Sequence, residues 1–411
     1  MRILLWHGYL LGGTGSNVYS RALAREWSRA GHDVVVACQE REAGQYDVGG
    51  AAAVVPELPN RLLPVFVMDR YEGLEPKFLQ DFTASERRAY VDANASVLRD
   101  LLPADVVFTN HVLMGGAVGA ATGAPFRVKA HGSELEYSMR GRPELARWGA
   151  ETLALADAVY VGSGHIRSVL EEVVGHVERV HEVPPGVDVD EFAPEERDRA
   201  LAALLDEARR DPPNPGNASE RLPDEGNAAR LDAFLAPDEP TVVYFGKLIE
   251  QKGVHVLLEA MHHVDARLVV VGFGPYRSTL EAAAPERTLF TGPLEHRHLV
   301  HLLPLADATV VPSIFPEAFG MVAAEAAAAG SPPLVARHSG LAEVAAGIEA
   351  EYPERLRHLA SFATGDAREL AAKLNELLAL PTADRRALRE SARRAAVERW
   401  SWSSIATRLI A

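Results

Sequence analysis

Cysteine is almost absent from this chain. Cys38 is the single one in 411 residues. One thiol cannot close an intrachain disulfide, and it cannot build a cysteine-based zinc site. It fits a reducing compartment, and the expected location is the cytoplasm. Long apolar runs are missing too. No stretch of about 18 uninterrupted apolar residues occurs, which excludes a bilayer-spanning helix. The apolar start, residues 3–11, is broken by His7 and Gly8 and leads into glycines. It reads as a buried first strand and not as a targeting segment. Positive charge is scarce: 42 Lys plus Arg face 57 Asp plus Glu, a net of −15. A nucleic-acid binder needs a basic face and an anionic bilayer attracts a basic patch, so neither nucleic acid nor a stable membrane association is expected. The third glycine of a dinucleotide fingerprint is lacking as well. Val18 stands where Gly13-Thr14-Gly15 would need it, and Arg277 where Gly272-Phe273-Gly274 would. Neither reads as a nicotinamide site.

The chain has ample material for folding. At 411 residues it is long for one domain and comfortable for two, and a 47% hydrophobic content supplies their cores. Short apolar segments at 3–6, 33–38, 106–109, 126–130, 158–162 and 180–183 alternate with amphipathic stretches at 17–29, 84–101 and 142–155. Strand–helix alternation predicts a parallel sheet covered on both faces. Pro184-Pro185-Gly186 ends this unit. Residues 195–210 have a charged helical pattern, and 211–227 is rich in turn residues, expected as a mobile surface loop that holds no chemistry. A second alternating unit starts at Thr241. Its strands are expected at 241–245, 267–271, 288–291, 308–311 and 333–336, and its helices at 253–264, 276–283, 297–303, 320–329 and 367–380. The domains are therefore placed at 1–190 and 191–398. The final helix, 399–411, breaks near Trp400-Ser401-Trp402 and is expected to pack back on the first domain. In such doubly wound folds ligands bind beyond the carboxyl ends of the strands, here in a cleft between two facing units.

The segment from Phe315 to Glu325 carries the most chemistry. Glu317 lies in a loop before Gly320, and Glu325 lies about two turns inside the helix after it. Free amides at a helix start hold phosphate. Two carboxylates accept hydroxyl hydrogens. Sugar, diphosphate and ribose in a row would satisfy all three. Lys247 and Lys252 lie in a strand-to-helix connection, another place where anions bind. His131 and His111 each come directly after an apolar strand. Asp188-Val189-Asp190 has the spacing of a metal motif, but it succeeds a Pro-Pro-Gly turn and is read as a turn; no metal is expected. Trp400 and Trp402 read as packing anchors.

The motifs occur in a set order: Gly12-Gly13-Thr14-Gly15-Ser16, Ala130-His131-Gly132-Ser133-Glu134, Pro184 to Phe192, Gly246 to Gly253, Val271 to Pro275, then Glu317 with Glu325. This order resembles the retaining nucleotide-sugar glycosyltransferases of family four, which have the GT-B fold of two tandem Rossmann-like α/β domains. The resemblance covers nearly the whole chain. It implies that Glu317 contacts the donor hexose and Glu325 the ribose hydroxyls. It places Lys247 and Lys252 at the diphosphate, His131 beside the transferred sugar, and Gly12 and Gly13 in a loop approaching the phosphates. Phe319, Gly320, Met321 and Val322 complete the donor set, the last three through backbone amides. Arginine is common where Lys247 stands, which exchanges a bidentate fork for a point charge. A second departure comes after Glu343: a glycine-rich turn is replaced by an insertion after Gly347, expected near the donor pocket.

The implied reaction transfers a hexose from a UDP- or GDP-sugar to a hydroxyl with retention, the leaving phosphate taking the acceptor proton on the same face. No cofactor is required for it. Acceptor candidates are His111, Asp69, Arg70 and Tyr71. Residues 61–100 hold six basic and seven acidic side chains, without the basic stripe of lipid-modifying relatives. That points to a small polar acceptor: a polyol, a sugar or an aminocyclitol. Two alternatives share the donor motifs. A GT-B nucleotide-sugar epimerase would convert the donor alone, and a non-catalytic binding protein would form no product. The oligomeric state is left open.

Overall fold

Apolar segments bounded by glycine and polar turns become strands because a strand covered on both faces has no polar side to show. The computed structural model describes residues 1–12, 15–66, 71, 73–214 and 222–411, and in it these strands build two units. One comprises Met1–Gly186 with Trp402–Ala411, the other Val187–Ser401.

The first unit holds a seven-stranded sheet. From edge to edge it runs Ala52–Val54, Asp33–Ala37, Arg2–Trp6, Val106–Asn110, Phe126–Lys129, Ala158–Val161 and Val180–Glu182. Every pairing is parallel. Side chains alternate between two apolar layers, as the pleat requires. Leu4 and Trp6 join the layer with Val35 and Val107; Ile3 and Leu5 join the one with Val34 and Phe108. The last helix, Trp402–Ile410, covers that second layer with Trp402, Ile405 and Leu409. Trp27 Nε1 donates to Ala406 O at 2.8 Å and fixes its position.

The second unit has six strands in the order Thr288–Phe290, Arg267–Val271, Thr241–Phe245, Ala308–Val311, Pro333–Ala336 and Ser361–Phe362. These too are parallel. In both sheets the order reverses once, between Arg2–Trp6 and Val106–Asn110 in the first and between Thr241–Phe245 and Ala308–Val311 in the second. At such a reversal the connecting helices diverge to opposite faces and leave a crevice at the strands' carboxyl ends.

The segment after Gly347, whose shape the sequence left open, starts as helix. Helix Ser339–Glu351 runs straight through Gly347, whose missing side chain admits Trp400; a Cβ there would lie 2.8 Å from Trp400 Cζ2. A 3-10 turn, Glu354–Ala360, then buries Leu356 and Leu359 and leads into the edge strand Ser361–Phe362. Residues 211–214 and 222–226 carry neither helix nor strand. Residues 215–221 lie outside the described residues, but both flanks are anchored. Asp211 accepts from Arg297 at 2.5 Å, and Asp224 from both Arg277 terminal nitrogens at 2.8 and 2.6 Å. Asn227 already opens helix Asn227–Leu235.

Candidate active site

In the second unit two loops meet at the strand-order reversal. One leaves strand Thr241–Phe245 and carries Lys247 and Lys252; the other leaves Ala308–Val311 and carries Glu317. Gly253 lets them touch. It has φ +66°, and a Cβ on it would strike the Pro312 carbonyl. Ile314 N donates to Gln251 O at 3.0 Å across the same seam. The result is an ion pair: the Lys252 ammonium is bonded to Glu317 Oε1. Ser313 Oγ donates to the same oxygen at 2.5 Å. The pair reaches solvent, with the side chains of Lys252 and Glu317 32% and 22% exposed, so its net stabilising value is small. Lys247 is exposed and its ammonium has no partner among the described residues. Its carbonyl accepts from Tyr244 Oη at 2.9 Å. Burial raises the Tyr244 phenol, and the Glu317 charge raises it further, so it remains a donor.

The Glu317 loop runs into helix Met321–Ala328. Gly320 precedes it with φ +120°, a value that suits glycine, and a Cβ there would come 2.6 Å from Leu341 Cδ2. Among the described residues no side chain caps this helix; Ala323 N turns back to Gly320 O at 3.0 Å, and the Met321 and Val322 amides precede the first intrahelical bond. Phe319 turns away from them. Its ring is buried edge-on against Trp400, centroids 5.9 Å apart, and only its backbone is left for a ligand. Glu325 lies farther along the helix, half-buried. Burial pushes its carboxyl up to about 7, and the His296 imidazole pulls it partly back. His296 Nε2 bonds Glu191 Oε2 at 2.5 Å. Burial resists its protonation, but Glu191 and Glu325 more than offset that and raise its pKa.

The first unit places a different set at its own reversal point. His7 comes directly after Arg2–Trp6, His111 directly after Val106–Asn110, and His131 one residue beyond Phe126–Lys129. The rings follow one another: His7 stacks on His111 at 6.2 Å, and His111 meets His131 at a tilt, 4.8 Å between centroids. His7 Nε2 meets Asn17 Oδ1 at 2.8 Å, and Asn17 Nδ2 donates to Gly12 O, tying the glycine turn to the cluster. His131 Nε2 meets Asn110 Oδ1 at 2.9 Å. Burial lowers the His7 pKa to about 4 and drives His111 and His131 well below the usual imidazole range. All three are neutral at pH 7. Glu134 sits at the base of the cluster and accepts from Val112 N at 2.6 Å and more loosely from Leu113 and His131 amides. Burial still pushes its carboxyl up to about 8. Lys129, beneath them, donates to Val183 O at 2.7 Å, and burial brings its pKa down to about 7.

His111 is distinctive. Its φ is +74°, it is 2% exposed, and neither ring nitrogen has a hydrogen-bond partner among the described residues. Its Nδ1 lies 3.9 Å from Glu134 Oε1. Tyr9 and Phe66 close around it at 5.3 and 4.9 Å between centroids.

Comparison with known proteins shows the family of the chain. Residues 13–191 match the family described as Glycosyltransferase Family 4, and residues 229–395 match Glycosyl transferases group 1. A D-inositol 3-phosphate glycosyltransferase of Xylanimonas cellulosilytica is 30% identical over 80% of this chain and 77% of its own. The chain belongs to the family 4 glycosyltransferases. A GDP-mannose-dependent phosphatidylinositol monomannoside mannosyltransferase of Mycolicibacterium smegmatis is 27% identical over 56% of this chain and 57% of its own. The structure of Anabaena HepE in complex with UDP and glucose superposes with a TM-score of 0.68 over 98% of this chain and 97% of the other, at 16% identity. At that identity the likeness speaks for the fold, which is GT-B. The protein is a glycosyltransferase that takes its sugar from a nucleotide sugar.

Within this glycosyltransferase, Lys252 and Glu317 are in direct contact, and Lys247 stands on the same loop as Lys252. His111 and His131 are adjacent. Tyr71 is partly buried against the first unit's core. Gly13, Asp69 and Arg70 lie outside the described residues. Asp188 Oδ1 accepts from Asp190 N and Glu191 N, the geometry of a turn. Sequence reasoning passed over His7, Asn17, Asn110 and Glu134 in one unit and Ser313, His338 and Ser339 in the other. A polar residue directly after an apolar strand was the available signal for His7 and Asn110. Among the described residues no helix is long and apolar enough to cross a membrane.

Proposed function

We propose that the enzyme transfers a hexose from a nucleoside diphosphate sugar to a hydroxyl of a small polar acceptor, with retention at the anomeric carbon. The observation that carries this reading is the Lys252–Glu317–Ser313 contact beside an uncapped helix start. An ammonium and free amides suit the diphosphate. A carboxylate with one oxygen anchored suits sugar hydroxyls. In this reading Glu317 meets the hexose, and Lys252 and Lys247 neutralise the diphosphate. The amides of Gly320, Met321 and Val322 assist the lysines, and Glu325 holds the ribose. As the glycosidic bond breaks, negative charge grows on the leaving phosphate, where these donors are concentrated. That phosphate takes the acceptor proton and attack occurs on the same face. No protein carboxylate is assigned as a covalent nucleophile.

The neutral histidines of the first unit suit the acceptor side. An uncharged imidazole gives or takes a hydroxyl hydrogen bond without attracting an anion. The relative named for D-inositol 3-phosphate favours a cyclitol among polyhydroxy acceptors. The names of the relatives include GDP-mannose and a neighbour's title includes UDP, so both bases belong in a donor screen. The test is transfer from UDP-, GDP- and ADP-hexoses to inositol, inositol phosphates and simple sugars, with a donor-alone control. Lys252→Ala and Glu317→Ala are expected to lose transfer by about a hundredfold or more while melting as the wild type does. Near-normal turnover by either variant overturns the assignment.

A further inference from the structure

We propose that Ser339 and His338 are positioning residues that hold Glu317 at the angle from which its carboxylate meets the donor sugar. This rests on the donor reading of Glu317 above. Glu317 belongs to a loop, and a loop does not orient a side chain unless its backbone is fixed. Here the backbone is fixed at both ends of the residue. Glu317 N donates to Ser339 Oγ at 2.9 Å, and Glu317 O accepts from Gly340 N at 3.0 Å.

The bonds then continue in a defined direction. His338 Nε2 lies 2.7 Å from Ser313 O. A carbonyl only accepts, so Nε2 carries a hydrogen, and in the neutral tautomer that fits this contact Nδ1 is the acceptor. Nδ1 lies 3.0 Å from Ser339 Oγ and therefore takes that hydroxyl's hydrogen. Ser339 Oγ is left to accept from Glu317 N. Ser313, whose carbonyl anchors the imidazole, uses its own hydroxyl to bond Glu317 Oε1. One imidazole thus ties together the two serines that grip Glu317, one at its amide and one at its carboxylate.

The backbone gives independent support. Ser339 has φ +46°, in the left-handed region that favours glycine. A strained non-glycine residue persists where the surroundings need its side chain. The task of this side chain is to receive the Glu317 amide. Gly340, the next residue, lets this helix start press on the loop; a Cβ there would come 2.6 Å from Ala318 O and Phe319 Cα.

The test uses Ser339→Gly, which relieves the strain and removes only the hydroxymethyl group. Wild type, Ser339→Gly, His338→Ala and Glu317→Ala are titrated calorimetrically with UDP and UDP-glucose, GDP and GDP-mannose, and ADP and ADP-glucose. Ser339→Gly is expected to melt at or above the wild-type temperature and to bind the free diphosphate within about twofold of wild type. Its affinity for the sugar conjugate should fall about tenfold, and kcat with it. His338→Ala should show the same selective loss, smaller in size. If Ser339→Gly keeps the preference for the sugar conjugate while Glu317→Ala loses it, the positioning role is overturned and the donor reading stands. If Glu317→Ala keeps that preference, or the wild type binds none of the donors, the donor reading falls and this proposal with it. Equal loss of both ligands together with a lowered melting temperature marks a merely structural role and overturns the proposal as well.

Discussion

At the switch point of the first unit the polar groups are buried and neutral, while at that of the second they are charged and reach water. His7, His111 and His131 are stripped of solvent, so each imidazole stays uncharged. Lys252 and Glu317 keep part of their surface in solvent and remain an ion pair. The scaffold is the same in both: a parallel sheet, one reversal of strand order, and loops at the carboxyl ends. The difference lies in the path the chain takes on leaving each strand. After Arg2–Trp6 and Val106–Asn110 the chain turns inward at once and takes its histidines with it. After Thr241–Phe245 and Ala308–Val311 the chain runs on through longer loops, in which Lys252 and Glu317 keep part of their side chains in solvent where they meet. The same architecture thus presents two electrostatic environments. A charged, wet site suits an anionic diphosphate; a neutral, dry one suits hydroxyl groups.

This contrast can be broken first at His131. His131→Ala is expected to lower the transfer rate by about a hundredfold, the scale of a lost positioned proton or hydrogen-bond partner in a transition state. Donor and acceptor saturation curves taken with this variant check it, because an effect confined to KM for the donor would assign His131 to the wrong task.

A middle-sized effect is expected at Glu325. Its carboxyl titrates at about 7 in the free protein. In the proposed reading ribose hydroxyls donate to this carboxylate, so binding should favour the ionised form and lower that pKa. Above pH 7 the carboxylate is already present and donor affinity should be flat. Below pH 7 a proton must leave first, and affinity should fall by up to about tenfold per pH unit. Glu325→Gln should bind more weakly at pH 8 and show no such slope. Calorimetric titration between pH 5.5 and 8 decides this, and an unchanged slope in Glu325→Gln would assign the titration to another group.

The smallest effect is expected from Lys247→Arg. Lys247 is exposed and its ammonium is unpartnered among the described residues. Its charge matters more than its shape, so kcat/KM should stay within about threefold of wild type. A much larger loss would mean that the ammonium fills a space a guanidinium cannot.

The parallel sheets were legible because buried strands such as Thr241–Phe245 and Arg267–Val271 are continuous apolar runs with few alternatives. Lys252 and Glu317 were legible from the order of motifs, but not their contact. That contact depends on Gly253 and Pro312 meeting from distant parts of the sequence, which no local pattern encodes. Phe319 entered the donor set through the resemblance; only packing shows its ring committed to Trp400. The Ser339–His338–Ser313 connection left no trace in periodicity. It depends on one serine in a glycine-like conformation. The shape of the segment after Gly347 was not legible because Gly347, Pro353 and the glutamates between and after them give no clear periodicity. Tertiary contact with Trp400 overrides the glycine's weak helix propensity.

The measurement that bears most directly on the division of labour is nucleoside diphosphate binding to Lys252→Ala and His131→Ala, measured by calorimetry beside the wild type. The account predicts at least about a tenfold loss of affinity in Lys252→Ala, from removal of a charge-assisted contact, and an unchanged value in His131→Ala. Wild-type affinity in Lys252→Ala, or a comparable loss in His131→Ala, would contradict it.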